Sequence, residues 1–76
     1  MNSEDRRWLK ESFPTFQKRV LRGDVLNAYY RAEMLLNGTD KINKRSCFCQ
    51  HGELQDGVNK KYNDWLQTYA DIHPNE

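Results

Sequence analysis

Between Leu54 and Tyr69 the chain repeats apolar side chains at Leu54, Val58, Tyr62, Trp65, Leu66 and Tyr69. Steps of four, four, three, one and three place all six on one wide face of an α-helix. Asp56, Asn59, Lys60, Asn63, Asp64 and Gln67 fall on the other face, as a solvated or partner-facing side would. Gly57 costs such a helix roughly 1 kcal/mol relative to Ala, so tertiary packing must hold it. Three of the six stripe residues are aromatic and need a broad apolar surface to lie on. Asn59, Lys60 and Asn63 are expected outside the core, and Leu54, Val58, Tyr62, Leu66 and Tyr69 inside it.

The surface has to come from a short chain. Seventy-six residues make one domain, 1–76, and a chain of that size buries only about 60% of its unfolded surface. Mean hydropathy is low, −1.04, yet the chain holds two Trp, three Phe and four Tyr. Few aliphatic and many aromatic residues suit a small helical core with rings at its rim. They also suit an interface, where Trp, Tyr and Arg dominate binding energy.

The second apolar element runs from Asp24 to Asn37. Val25, Tyr29, Ala32 and Leu36 form its inner stripe, widened by Leu26, Tyr30 and Met34. Apolar over more than half its circumference, it is expected at the centre of the bundle. Gly23-Asp24 reads as a stop and an N-cap, and Asn37-Gly38 as a left-handed C-cap. Ahead of it, Ser3 reads as the N-cap of a first helix reaching about Ser12, with Glu4 and Asp5 favourable to its dipole. Pro14 breaks that helix and can open a second segment carrying Phe16, Val20 and Leu21 toward Gly23. Whether the two segments form one kinked helix or a corner is left open by the sequence. Residues 38–52 are polar and irregular, and the last helix ends near Asp71 or Ile72 before Pro74. The expected architecture is all-α: three or four short helices with a long polar loop before the last.

Charge is +1 overall but uneven. Residues 1–22 hold six bases and three acids; residues 52–76 hold two bases and five acids. This polarity suits bridging of unlike surfaces, and equally the ordinary solvated faces of two helices. Lys18, Arg19 and Arg22 share a side of the second segment, and Lys41, Lys44 and Arg45 sit in the loop. A peripheral contact to nucleic acid is compatible with them, whereas sequence readout is not expected, because no helix-turn-helix or RNP-like pattern accompanies them. No apolar run reaches the roughly 20 residues of a membrane span, and no secretory leader is read, so both cysteines are expected as thiols.

Cys47-Phe48-Cys49-Gln50-His51 is the one cluster with ligand chemistry. Two thiolates and an imidazole could hold three corners of a zinc site. The knuckle spacing is wrong and a second pair is missing, so no metal or other cofactor is expected. C-x-C also reads as a poor disulfide, its side chains tending to diverge. The cysteines then serve as small plugs before the last helix. Catalysis is not expected: no phosphate loop, nucleophile elbow or suggestive carboxylate pair occurs, and no small-molecule substrate is foreseen.

The run Ser46-Cys47-Phe48-Cys49-Gln50, followed by Leu54, Val58, Tyr62 and Trp65-Leu66, resembles a pattern in small structural proteins of tailed bacteriophages, particularly short helical proteins of the crAss-like phages. The likeness covers roughly the last third of the chain, with support from Leu35-Leu36-Asn37-Gly38-Thr39. His51-Gly52 depart from the pattern, where further helix-favouring residues are expected. The resemblance implies a capsid, neck or tail-junction component, present in many copies in the virion, assembled in the host cytoplasm on larger structural proteins of the same particle. Two other readings stand beside it: a small nucleic-acid-associated or regulatory domain, with or without a zinc staple, and a phage inhibitor of a host protein. For docking, the expected exposed residues are Trp8, Phe13, Phe16, Arg19, Arg22 and Tyr30, since the two long helices cannot cover every stripe at once.

Overall fold

The computed structural model describes residues 2–16 and 20–72, and their side chains apart from those of Phe48, Ala70, Asp71 and Ile72. Three α-helices follow one another: α1 (Ser3–Glu11), α2 (Gly23–Asn37) and α3 (His51–Ile72). Short 3-10 turns at Phe13–Phe16 and Phe48–Gln50 precede the second and third. No strand occurs among the described residues.

Each helix end has a local cause. Asn2, not Ser3, caps α1: its side-chain oxygen accepts from the Asp5 N–H at 2.8 Å, and Glu4 and Asp5 then meet the positive helix end. Ser12 closes the helix. Pro14 cannot continue an α-helical ladder, and the chain tightens into a 3-10 turn, with the Thr15 N–H donating to the Ser12 carbonyl at 3.2 Å. The expected second helix over Pro14 to Gly23 does not form among the described residues: Val20, Leu21 and Arg22 are not helical. The cap of α2 is Arg22 rather than Asp24, and Gly23 takes a positive φ of 56° at the bend, a conformation Gly adopts without steric cost. Gly38, φ 71°, ends α2 as expected. Its N–H donates to Leu35 and that of Thr39 to Met34, the Schellman pattern. Helix α3 starts at His51, three residues earlier than its apolar stripe, because the 3-10 turn leads directly into it, the Gln50 N–H donating to the Cys47 carbonyl at 3.0 Å.

Burial converges on aromatic rings. Phe13 is fully buried, its ring 5.1 Å from Tyr29 and 5.0 Å from Tyr62. Leu9, Leu21, Ala32, Leu54 and Val58 close around them. Tyr62, Trp65 and Tyr69 then continue as neighbouring rings along α3 at 5.9 and 5.0 Å. Helix α2 is central, as expected. It buries Ala28, Tyr29, Tyr30 and Ala32 and meets the first 3-10 turn and α3. On its outer side Arg31 lies over the Trp8 ring at 4.2 Å and 3.4 Å from Asp5. Of the expected core, Tyr29, Leu54, Val58, Tyr62 and Tyr69 are buried, whereas Val25, Leu36 and Leu66 are half-buried at its edge. Leu66 sits there because steps of four along Leu54, Val58 and Tyr62 rotate it about 120° from Leu54, while Trp65 returns to about 20°.

Tyr29 ties the layers with its hydroxyl. That group lies 3.3 Å from the Phe16 carbonyl and 3.2 Å from Asn59 Oδ1, and accepts from the Gln55 amide at 3.4 Å. Asn59, expected outside the core, is therefore half-buried and bonded to it; Lys60 and Asn63 are exposed.

Two outcomes test this packing. Phe13→Ala should cost about 3–5 kcal/mol, comparable to the whole stability of a domain this small, and Leu66→Ala clearly less; urea unfolding followed by circular dichroism ranks them. Burial raises the Tyr62 phenol above its ordinary 10.0. The folded state thus retains a proton that the unfolded state loses, so Tyr62 adds stability that is complete below pH 10 and is lost as pH rises through its folded value. Alkaline titration should show the fold weakening above about pH 10, with Tyr62→Phe reducing that pH dependence.

Candidate functional site

The residues expected to face a partner do not form one surface. Phe13 is in the core, and Tyr30, 5% exposed, is buried too. Its hydroxyl accepts from the Arg45 N–H at 3.0 Å. Both burials are corrections with one physical cause: covering by segments distant in sequence, Tyr29 and Tyr62 for Phe13, and the loop before α3 for Tyr30. Trp8 and Phe16 are half-buried and Arg22 is exposed; Arg19 lies outside the described residues. Among the described residues Val20 and Ile42 are the exposed large aliphatics, at 69% and 49%.

The loop is held by charge. Arg45 donates from both terminal nitrogens to the two Glu33 oxygens, at 2.6 and 2.7 Å, the forked geometry that makes Arg–carboxylate pairs strong. The bond to Glu33 raises the Arg45 guanidinium above its ordinary value, against the opposing cost of burial. With Tyr30 this fastens the polar loop to the flank of α2.

Cys47 and Cys49 form a disulfide, against the expectation of two free thiols and of a pair too divergent to join. The turn that ends in the Gln50–Cys47 hydrogen bond brings their Cα atoms to 5.3 Å, inside the range disulfides use. Both residues are exposed, so neither is a buried plug. The bridge also takes both sulfurs out of any ligand set with His51, and no group of three or more His, Cys, Asp or Glu is placed to hold a metal among the described residues.

A recess lies elsewhere, between α1 and the end of α3. Ser3, Arg6, Arg7, Lys10, Glu11 and Tyr69 line a groove of about 280 Å³. It exists because the backbones of α1 and α3 stay apart while long side chains span the gap. Tyr69 is the floor. Its hydroxyl accepts from Arg6 Nε at 3.3 Å, and its ring carries the Arg6 guanidinium at 5.7 Å and the Lys10 ammonium at 5.2 Å. A terminal nitrogen of Arg6 also donates to Ser3 Oγ at 3.2 Å. Arg7, exposed, and Lys10, half-buried, form no ion pair among the described residues. Sequence reasoning placed Arg6, Arg7 and Lys10 on a basic end and Tyr69 in the core. It missed that they meet, although the spacing of Arg6 and Lys10 puts both on one helix face. No helix among the described residues is long and apolar enough to cross a membrane.

No protein family, curated protein or solved structure matches the chain.

Because the disulfide encloses a sequence separation of only two, it removes little freedom from the unfolded chain, about 1–2 kcal/mol in the chain-entropy picture. Reduction, or Cys47→Ser with Cys49→Ser, should therefore leave the helical circular dichroism intact and lower Tm by about 4–16 °C.

Proposed function

We propose that this chain is a structural or adaptor subunit of a bacteriophage particle, in its capsid, neck or tail junction, docking on larger virion proteins. The observation that carries the docking part is the basic face of α1: Arg6, Arg7 and Lys10 converge on one groove beside a single acid, Glu11, and no ion pair among the described residues engages Arg7 or Lys10. An excess of one charge on a self-contained core suits recognition of a complementary surface and does little for the fold itself. The phage part rests on the resemblance of Ser46 to Gln50 and the α3 stripe to small virion proteins. The long polar loop belongs to the same reading. Fastened through Arg45 and Tyr30, it lets α3 begin far from the end of α2 and presents Ile42 at the surface.

The reading of a zinc-stapled nucleic-acid domain gains nothing from a disulfide at Cys47–Cys49. A host-directed inhibitor would use a docking face too, and differs in its partner. Co-expression with the major structural proteins of the same genome, followed by size exclusion and native mass spectrometry, tests the proposal. The expected result is a defined complex. A chain that stays monomeric beside all of them, and instead captures one host protein stoichiometrically, sinks the virion reading.

A further inference from the structure

We propose that the groove between α1 and the end of α3 is a receptor for an acidic peptide segment, one that places Asp or Glu carboxylates on Arg7 and Lys10. This deepens the docking reading by naming the partner's chemistry, and it rests on that reading only for the identity of the partner protein.

Four observations carry it. First, the site is concave and of side-chain size, about 280 Å³, enough for one or two carboxylates and too small for an extended ligand. Second, two of its three cations are held in place. Arg6 is fixed by Tyr69 and Ser3, and Lys10 rests over the Tyr69 ring. A carboxylate therefore meets charges whose conformational freedom is already restricted. Third, among the described residues no ion pair engages Arg7 or Lys10, so both have donors to offer. An Arg fork takes a carboxylate in two parallel bonds, and the Lys ammonium adds a point charge beside it. Fourth, the positive field is short. Glu11 lines the same groove, exposed Glu4 lies one turn back on α1, and the whole chain carries only +1.

The fourth observation separates a peptide from nucleic acid. Duplex DNA presents about one charge per 1.7 Å of axis and needs a continuous basic track. Along α1 such a polyanion would run onto Glu4 and Glu11. A short acidic segment satisfies the groove and leaves those carboxylates in water.

The whole chain is titrated at low salt with four probes, binding being followed by fluorescence anisotropy and amide NMR shifts. The probes are a fluorescein-labelled dodecapeptide rich in Asp and Glu, its Asn/Gln counterpart, a single-stranded DNA and a duplex DNA. Only the acidic peptide should bind well. Shifts should centre on Arg6, Arg7, Lys10 and Tyr69, and affinity should fall as salt rises. The double variant Arg7→Glu/Lys10→Glu should weaken binding about tenfold or more, while Lys60→Glu, on the exposed side of α3, leaves it unchanged. Arg7 lies at the surface and Lys10 is half-buried, so unchanged circular dichroism checks that the double variant still folds.

Tighter binding of either DNA, failure of the acidic peptide to bind, or equal binding by the double variant each overturns the proposal. A concentration-dependent dimer in analytical ultracentrifugation, abolished by the double variant, overturns it in favour of a second copy. A virion complex that survives Arg7→Glu/Lys10→Glu defeats the groove and leaves the proposed function standing. Acidic-peptide binding without any virion complex does the reverse.

Discussion

Everything in this fold hangs on the meeting of three rings. Phe13 reaches Tyr29 of α2 and Tyr62 of α3 at about equal distances, and so joins a residue just after α1 to both long helices. Tilted and edge-on rings at such separations add roughly 0.5–1.5 kcal/mol per pair beyond area burial. In a chain with few aliphatic residues that addition matters, because a 76-residue domain has little margin to lose. The break at Pro14 is what allows the meeting. A helix running straight on from α1 would carry Phe13 past the crossing, whereas the 3-10 turn sets it into the cleft between α2 and α3.

The sequence made the two long helices legible, and the reason is periodicity. The stripe of α3 and the span of α2, with Gly38 at its end, depend on residues three or four apart, and that information is local. Phe13 and Tyr30 were misread because their burial is decided by partners 15 or more residues away, Tyr29 and Tyr62 for the first, Arg45 and its loop for the second. The cap of α1 was misplaced by one residue, since Asn2 and Ser3 are both good caps and only the bond to Asp5 distinguishes them. The disulfide was missed because C-x-C pairing needs a turn, and the turn at Phe48–Gln50 has no strong signature among its residues. The groove was half legible: composition named its cations, but nothing local in the sequence brings Tyr69 beneath them.

The gap between α1 and α3 and the tight contact between α2 and α3 are two sides of one geometry. At 1.5 Å per residue α3 is about 33 Å long and α2 about 22 Å, so α2 leaves the last turns of α3 uncovered. Helix α1, only nine residues long, reaches the end of α3 through Arg6 and Lys10, whose side chains lie on the Tyr69 ring. Those long side chains span the space between the two helices and put positive charge beside an aromatic floor.

The Tyr29 hydroxyl carries a further consequence. A phenol has one hydrogen, and here two oxygens, those of Phe16 and Asn59, stand ready to accept it. At any instant the hydrogen serves one of them, so the tie between the chain after α1 and α3 depends on the direction of a single bond and not on a change of shape.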